Sequence, residues 1–173
     1  ARGCFVKREQ NCAANNSEIK LYTYNFIIMT KYLSIDPGKY KCGFVLADFD
    51  KKIVNEAMIL KSEILVKSVK ELKKNDLTLK VVIGNGTSSK EHIKKLNFLG
   101  DNLILAEEKN TTFRAKERYF EIFPTYGVRK LLPREILIMN IYLDAIAALV
   151  ILEDCLNCKF SFSKDLSTKT WHK

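Results

Sequence analysis

The chain is poor in the residues that several kinds of chemistry require. Of its 173 residues only two are histidines, His92 and His172, so a histidine-centred mechanism has little material. The five cysteines, Cys4, Cys12, Cys42, Cys155 and Cys158, are odd in number and irregular in spacing. They read as reduced thiols of a cytoplasmic protein and not as a disulfide framework. Cys155-Leu156-Asn157-Cys158 is a lone CxxC, and without a second Cys or His pair at ligand spacing a structural zinc is the minor reading. The apolar run over residues 145–152 is too short to span a bilayer and is bounded by Asp144 and Glu153, so no membrane role is expected. Neither a cleavable signal pattern nor an internal repeat is evident.

What the chain has in excess is positive charge: 29 Lys and Arg against 20 Asp and Glu, a net charge of +9. Such a surface favours a polyanionic partner, because binding a phosphate backbone releases counterions. The plainer explanation, that lysine-rich chains are simply soluble, has equal standing on composition alone. The length suits one domain with a single core.

Met29 stands directly before the first strand pattern, so residues 1–28 read as an N-terminal extension outside the functional argument, 29–158 as the domain, and 159–173 as a tail that frays. From residue 31 the pattern is strand, tight turn, strand, a second turn at residues 48–52, and a third strand over 53–60, which predicts an antiparallel meander. Leu65, Val69 and Leu72 give residues 62–74 a helical stripe. Residues 79–83 form a short apolar run ending in Gly84-Asn85-Gly86, as a buried central strand does. Ser88-Ser89-Lys90-Glu91 reads as a capping box opening a short helix. A fifth strand over 103–106, a helix over 111–123 capped by Thr111 or Thr112, a basic irregular stretch over 125–139, and a last helix over 142–156 follow. The prediction is a mixed five-stranded sheet flanked by helices.

Three acidic positions interrupt apolar patterns. Asp36 ends the first strand before Pro37-Gly38, with Gly38 and Gly43 read as turn glycines that leave room for a ligand. Glu107 and Glu108 end the fifth strand, and Asp144 opens the last helix. In an open α/β sheet, sites form beyond the carboxyl ends of the strands. Carboxylates gathered there repel one another, and Mg²⁺ or Mn²⁺ relieves the repulsion. Two such ions about 4 Å apart can activate water and stabilise the leaving oxygen in phosphodiester hydrolysis. Taken singly, each acid also has an ordinary role: a dipole partner at a helix start, a solvated pair at a strand end, a turn residue. Spacing alone does not bring the three together.

The segments Ser34-Ile35-Asp36-Pro37-Gly38, Val82-Ile83-Gly84-Asn85-Gly86-Thr87-Ser88-Ser89, Glu107-Glu108-Lys109-Asn110-Thr111-Thr112 and Asp144-Ala145-Ile146-Ala147-Ala148 occur in the order found in YqgF-like proteins, of the RuvC-like branch of the ribonuclease H fold. The resemblance covers residues 31–153. It implies strand order 3-2-1-4-5 and a Mg²⁺ or Mn²⁺ site in which Asp36, Glu108 and Asp144 are both ligands and catalytic residues. Glu107 stands where the family usually has Asp; it is the second choice as ligand. RuvC itself carries two acids one turn apart on its last helix, and here the position three before Asp144 is Ile141, which weighs against a junction resolvase.

The expectation is a metal-dependent nuclease hydrolysing RNA, in maturation of the small-subunit ribosomal RNA precursor, cytoplasmic, a monomer or homodimer, with the ribosomal small subunit as a further partner. Lys39, Lys41, Asn85, Ser88, Arg114, Arg129, Lys130 and Arg134 are the nucleic-acid contacts, with Lys116 and Arg118 as further basic candidates. The alternatives are a Holliday-junction-type DNA nuclease and a non-catalytic nucleic-acid or ribosome-binding module. Phosphotransfer of the actin-like kinase type ranks last, since the chain is too short for a two-domain cleft.

Overall fold

The computed structural model describes residues 30–108, 111–127, 131–138 and 140–162. The extension over 1–28, the Cys4, Cys12 and His172 positions, the candidate contacts Arg129 and Lys130, and the side chain of Arg134 lie outside the described residues.

Strand β1 (Lys31–Asp36) turns through Pro37-Gly38 into β2 (Lys41–Asp48), and β2 into β3 (Ile53–Lys61). Both pairings are antiparallel, the meander the turn spacing predicts. Helix α1 (Leu65–Asn75) crosses back to β4 (Lys80–Gly84), which lies parallel to β1. Helix α2 (Ser89–Lys95) and a 3₁₀ segment (Asn97–Asn102) then lead to β5 (Leu103–Ala106), parallel to β4. After β5 come α3 (Thr111–Ile122), the short α4 (Arg134–Leu137) and α5 (Asn140–Leu156). The strand order is β5-β4-β1-β2-β3-β6. Its first five members have the order and directions of the ribonuclease H-like fold.

The sixth strand corrects the expectation of five. Phe160 is buried, the Ser161 N–H donates to the Lys52 carbonyl at 2.9 Å, and β6 (Ser161–Phe162) pairs parallel to β3. One buried aromatic is enough to hold the start of a segment whose composition reads as tail, and the pairing covers part of an otherwise open edge. The capping box is a second correction. Helix α2 forms where predicted, but Ser88 has helical backbone angles and makes no side-chain cap bond. Ser89 instead donates to the Gly86 carbonyl at 2.6 Å.

Successive strand residues face opposite sides of the sheet, and the two cores follow that alternation. Leu33, Ile35, Val81, Ile83 and Leu103 pack beneath α1 together with Leu96 and Leu99. Tyr32, Val45, Ala47, Val82, Ile104 and Ala106 pack beneath α3 and α5. Residues 145–152 of α5 are all buried, as expected of a helix apolar on every side. Ser34, on the α5 face and fully buried, donates its hydroxyl to the Ala148 carbonyl at 2.6 Å and so fixes α5 over β1. Among the described residues no helix is long and apolar enough to cross a membrane.

Candidate metal and nucleic-acid site

The same alternation carries past the strand ends. Tyr32 and Ser34 face α5, so Asp36 does too. Ile104 and Ala106 face α5, so Glu108 continues their row, while Glu107 is exposed on the other phase. In the parallel register Ile35 stands beside Ile83, which puts Gly84 beside Asp36. A Cβ on Gly84 would meet Glu108 Oε1 at 1.9 Å, and one on Gly86 would meet Oε2 at 2.1 Å. The Gly84-Asn85-Gly86 loop is therefore a cradle for the Glu108 carboxylate. Any side chain at either glycine would fill it.

Gly43 plays a comparable part from β2. It is not a turn residue, as its position after the Pro-Gly turn suggests, but a strand residue paired with Asp36. A Cβ there would stand 1.8 Å from the Asp144 carbonyl oxygen. Its missing side chain makes room for the first turn of α5, and this close packing sets Asp144 next to Asp36.

The carboxylates feel one another. Burial raises the Asp36 carboxyl to about 7, and Glu108 and Asp144 push it the same way. Burial also raises Glu108, against a lowering hydrogen bond from the Gly86 backbone N–H. Glu108 Oε1 is buried without a hydrogen-bond partner. Lys41 Nζ lies 2.7 Å from Asp144 Oδ2, an ion pair between partly exposed groups. That oxygen has no angularly proper hydrogen bond, so the contact is Coulombic and not directional. Among the described residues no three His, Cys, Asp or Glu side chains are arranged to hold a metal ion as they stand. The donor chemistry nevertheless suits a divalent cation. Asp36 and Asp144 line one cavity, Glu108 carries an unmet buried oxygen, and Asp36 is raised towards protonation near neutrality by burial and by both other acids.

Two cavities flank the turn after β1. One, of about 390 Å³, is lined by Asp36, Asp144 and the turn residues 37–41. The other, of about 440 Å³, lies towards α2 and shares Lys39 with the first. Of the expected nucleic-acid contacts, Lys39 and Lys41 stand at the acids, and Ser88 lines the second cavity. Asn85 sits in the glycine cradle loop, its backbone N–H on the Ala106 carbonyl at 2.9 Å. Arg114 is not brought to the site. It pairs with Asp154, which lies ten residues and about 15 Å along α5 from Asp144. Arg118 likewise serves structure, holding Glu153 at 2.8 Å and the Phe160 carbonyl.

His92 and Ser62 carry a role that sequence pattern alone does not reveal. Ser62 Oγ donates to the Gly38 carbonyl at 2.9 Å, and His92 Nε2 lies 3.3 Å from the same oxygen. Together they brace the turn that follows Asp36. The available signal was the spacing of Ser89, His92 and Leu96, all buried on one face of an otherwise lysine-rich helix.

No family model matches the sequence, and no curated protein matches it. Among solved structures, the chain is similar to the human cytomegalovirus terminase nuclease domain soaked with Mn, at 13% identity and a TM-score of 0.41, covering 79% of this chain and 87% of that one.

Proposed function

We propose that this protein is a divalent-metal-dependent nuclease that hydrolyses phosphodiester bonds in RNA. The observation that supports the reading is that Glu108 and Asp144 both act on the buried Asp36, whose carboxyl is raised to about 7. Such an arrangement is costly without a cation and comfortable with one. Asp36, Glu108 and Asp144 would hold Mg²⁺ or Mn²⁺, with Glu107 the alternative to Glu108. When bound, the ion lowers the pKa of water and neutralises charge on the phosphate.

The remaining work falls to the chain's own groups. The glycine cradle and the Gly86 N–H orient Glu108, while the braced Pro37-Gly38 turn fixes Asp36. Lys41 and Lys39 form a positive rim beside Asp36 and Asp144 that would meet the phosphate of the strand being cut. The finer reading, trimming of the small-subunit ribosomal RNA precursor, rests on the YqgF-like motif order, and Ile141 in place of a fourth acid favours it over a DNA junction nuclease.

One observation favours a second reading, a binding module without cleavage: the Lys41–Asp144 ion pair already neutralises one of the three acids. Cleavage of end-labelled single-stranded RNA with Mn²⁺ or Mg²⁺, wild type beside Asp36→Asn, separates the two. Metal-dependent cutting that vanishes in the variant supports the nuclease. RNA bound equally by both proteins and cut by neither supports the module.

A further inference from the structure

The cavity of about 440 Å³ on the α2 side of the turn is not used by the three acids. Its wall carries Lys39, Lys90, Thr87, Ser88, Ser62 and His92. Two carboxylates also border it, Glu63 and Glu91, but Glu91 is held by Lys95 at 2.6 Å. Among the described residues neither Lys39 nor Lys90 has an ion-pair partner. Ser62 spends its hydroxyl proton on the Gly38 carbonyl. The donors left for a ligand are thus the two ammonium groups and the hydroxyls of Thr87 and Ser88. His92 is 7% exposed, and because a carbonyl only accepts, its Nε2–H faces Gly38 while Nδ1 is buried with no partner. Nδ1 is then a buried acceptor, which a phosphate cannot meet, so His92 serves here as a brace on the Gly38 carbonyl and not as a ligand donor.

We infer that this cavity is a second phosphate site, which seats a backbone phosphate of the same nucleic-acid strand away from the bond that is cut. The inference rests on the nucleic-acid reading above. Two lysines and two hydroxyls around one space are phosphate-binding chemistry. Lys39 borders both cavities, so a strand leaving the acids would pass directly into this one. Ser62 and His92, which hold the Gly38 carbonyl, both line the cavity, so a phosphate seated there also holds the turn that follows Asp36.

The test is the binding of a fluorescein-labelled 12-nucleotide single-stranded RNA, followed by anisotropy in EDTA across a salt series. The proteins are wild type, Lys39→Gln/Lys90→Gln, and Lys51→Gln/Lys80→Gln. The last pair removes the same charge at the opposite end of the strands, where Lys80 stands beside Tyr32 and Lys51 follows Asp48, the partner of Lys31. The expected result is affinity weaker by roughly 5- to 20-fold at 0.1 M salt for the first pair, with a log–log salt slope smaller by about 0.7 for each phosphate no longer neutralised. The control pair should weaken binding by about 2-fold or less. Equal weakening by the two pairs, or an unchanged slope for the first, would overturn the phosphate site. Wild type that fails to bind RNA overturns both this inference and the nucleic-acid reading. RNA bound as expected here but never cut with Mn²⁺ overturns only the nuclease.

Discussion

The two ends of the sheet treat their acids in opposite ways. At the β2–β3 turn, Asp48 is almost wholly buried, yet one oxygen accepts the Lys51 backbone N–H at 3.0 Å and the other faces Lys51 Nζ at 3.5 Å. Nearby Asp50 accepts the Thr30 N–H at 2.9 Å. These carboxylates are satisfied by the chain itself and hold a turn closed. At the other end, Asp36 is pushed towards protonation by burial and by two further acids, and Glu108 keeps a buried oxygen without a partner. The backbone has even been opened there, with Gly43 and Gly84 yielding space to Asp144 and Glu108. One end spends its acids on folding. The other accumulates a deficit that a cation would cancel.

The sharpest break of that contrast is an amide at each end. Asp36→Asn should lower metal-dependent RNA cleavage by about 100-fold or more. Asp48→Asn should leave the rate of the folded protein near wild type and instead cost about 1–3 kcal/mol in chemical denaturation, since it weakens a partnered buried acceptor.

The contrast also has a pH signature. The Asp36 carboxyl has an ordinary value of 3.8 and is raised to about 7 on folding, so between those values the folded state binds the extra proton. Without metal, stability should be highest near pH 4 and decline as pH rises to about 7, by a few kcal/mol at most, with Glu108 acting in the same direction. Urea denaturation across that range should show this slope in wild type and a much flatter one in Asp36→Asn.

A smaller effect is expected from the cradle. Gly84→Ala places a methyl 1.9 Å from Glu108 Oε1 and must displace the carboxylate. Mn²⁺ affinity, measured by the metal-induced rise in melting temperature, should fall about 10- to 100-fold, the range for groups that orient ligands. The smallest effect belongs to Arg114→Ala, whose pair with Asp154 is partly exposed and remote from the acids. It should cost less than about 1 kcal/mol and change RNA affinity by less than about 2-fold.

The first five strands were legible because alternation and turn spacing are local signals, and the amphipathic stripe of α1 is as well. The sixth was not, because a single buried phenylalanine decides it and the surrounding composition argues the other way. The acids themselves stood out as breaks in apolar runs. The choice of Glu108 over Glu107 rests on the motif resemblance; the glycines that hold the Glu108 carboxylate, Gly84 and Gly86, come from a different strand end. What no local pattern carries is that Gly43 serves the approach of a helix a hundred residues later, or that Lys41 stands on Asp144 and Arg114 on Asp154. Those pairings depend on how α5 lies across the sheet. The brace from His92 to the Gly38 carbonyl is similarly a product of packing between distant segments.

If the end of the sheet bearing Asp36, Glu108 and Asp144 is built for a divalent cation, the cation itself is the sharpest probe. Calorimetric titration of Mn²⁺ into the metal-free protein at pH 7.5, wild type beside Asp36→Asn, asks the question without nucleic acid. Saturable binding by wild type, with proton release from Asp36, and loss of both in the variant is the expected result. Equal binding by the two proteins, or none by wild type, would refute a cation site at this end of the sheet.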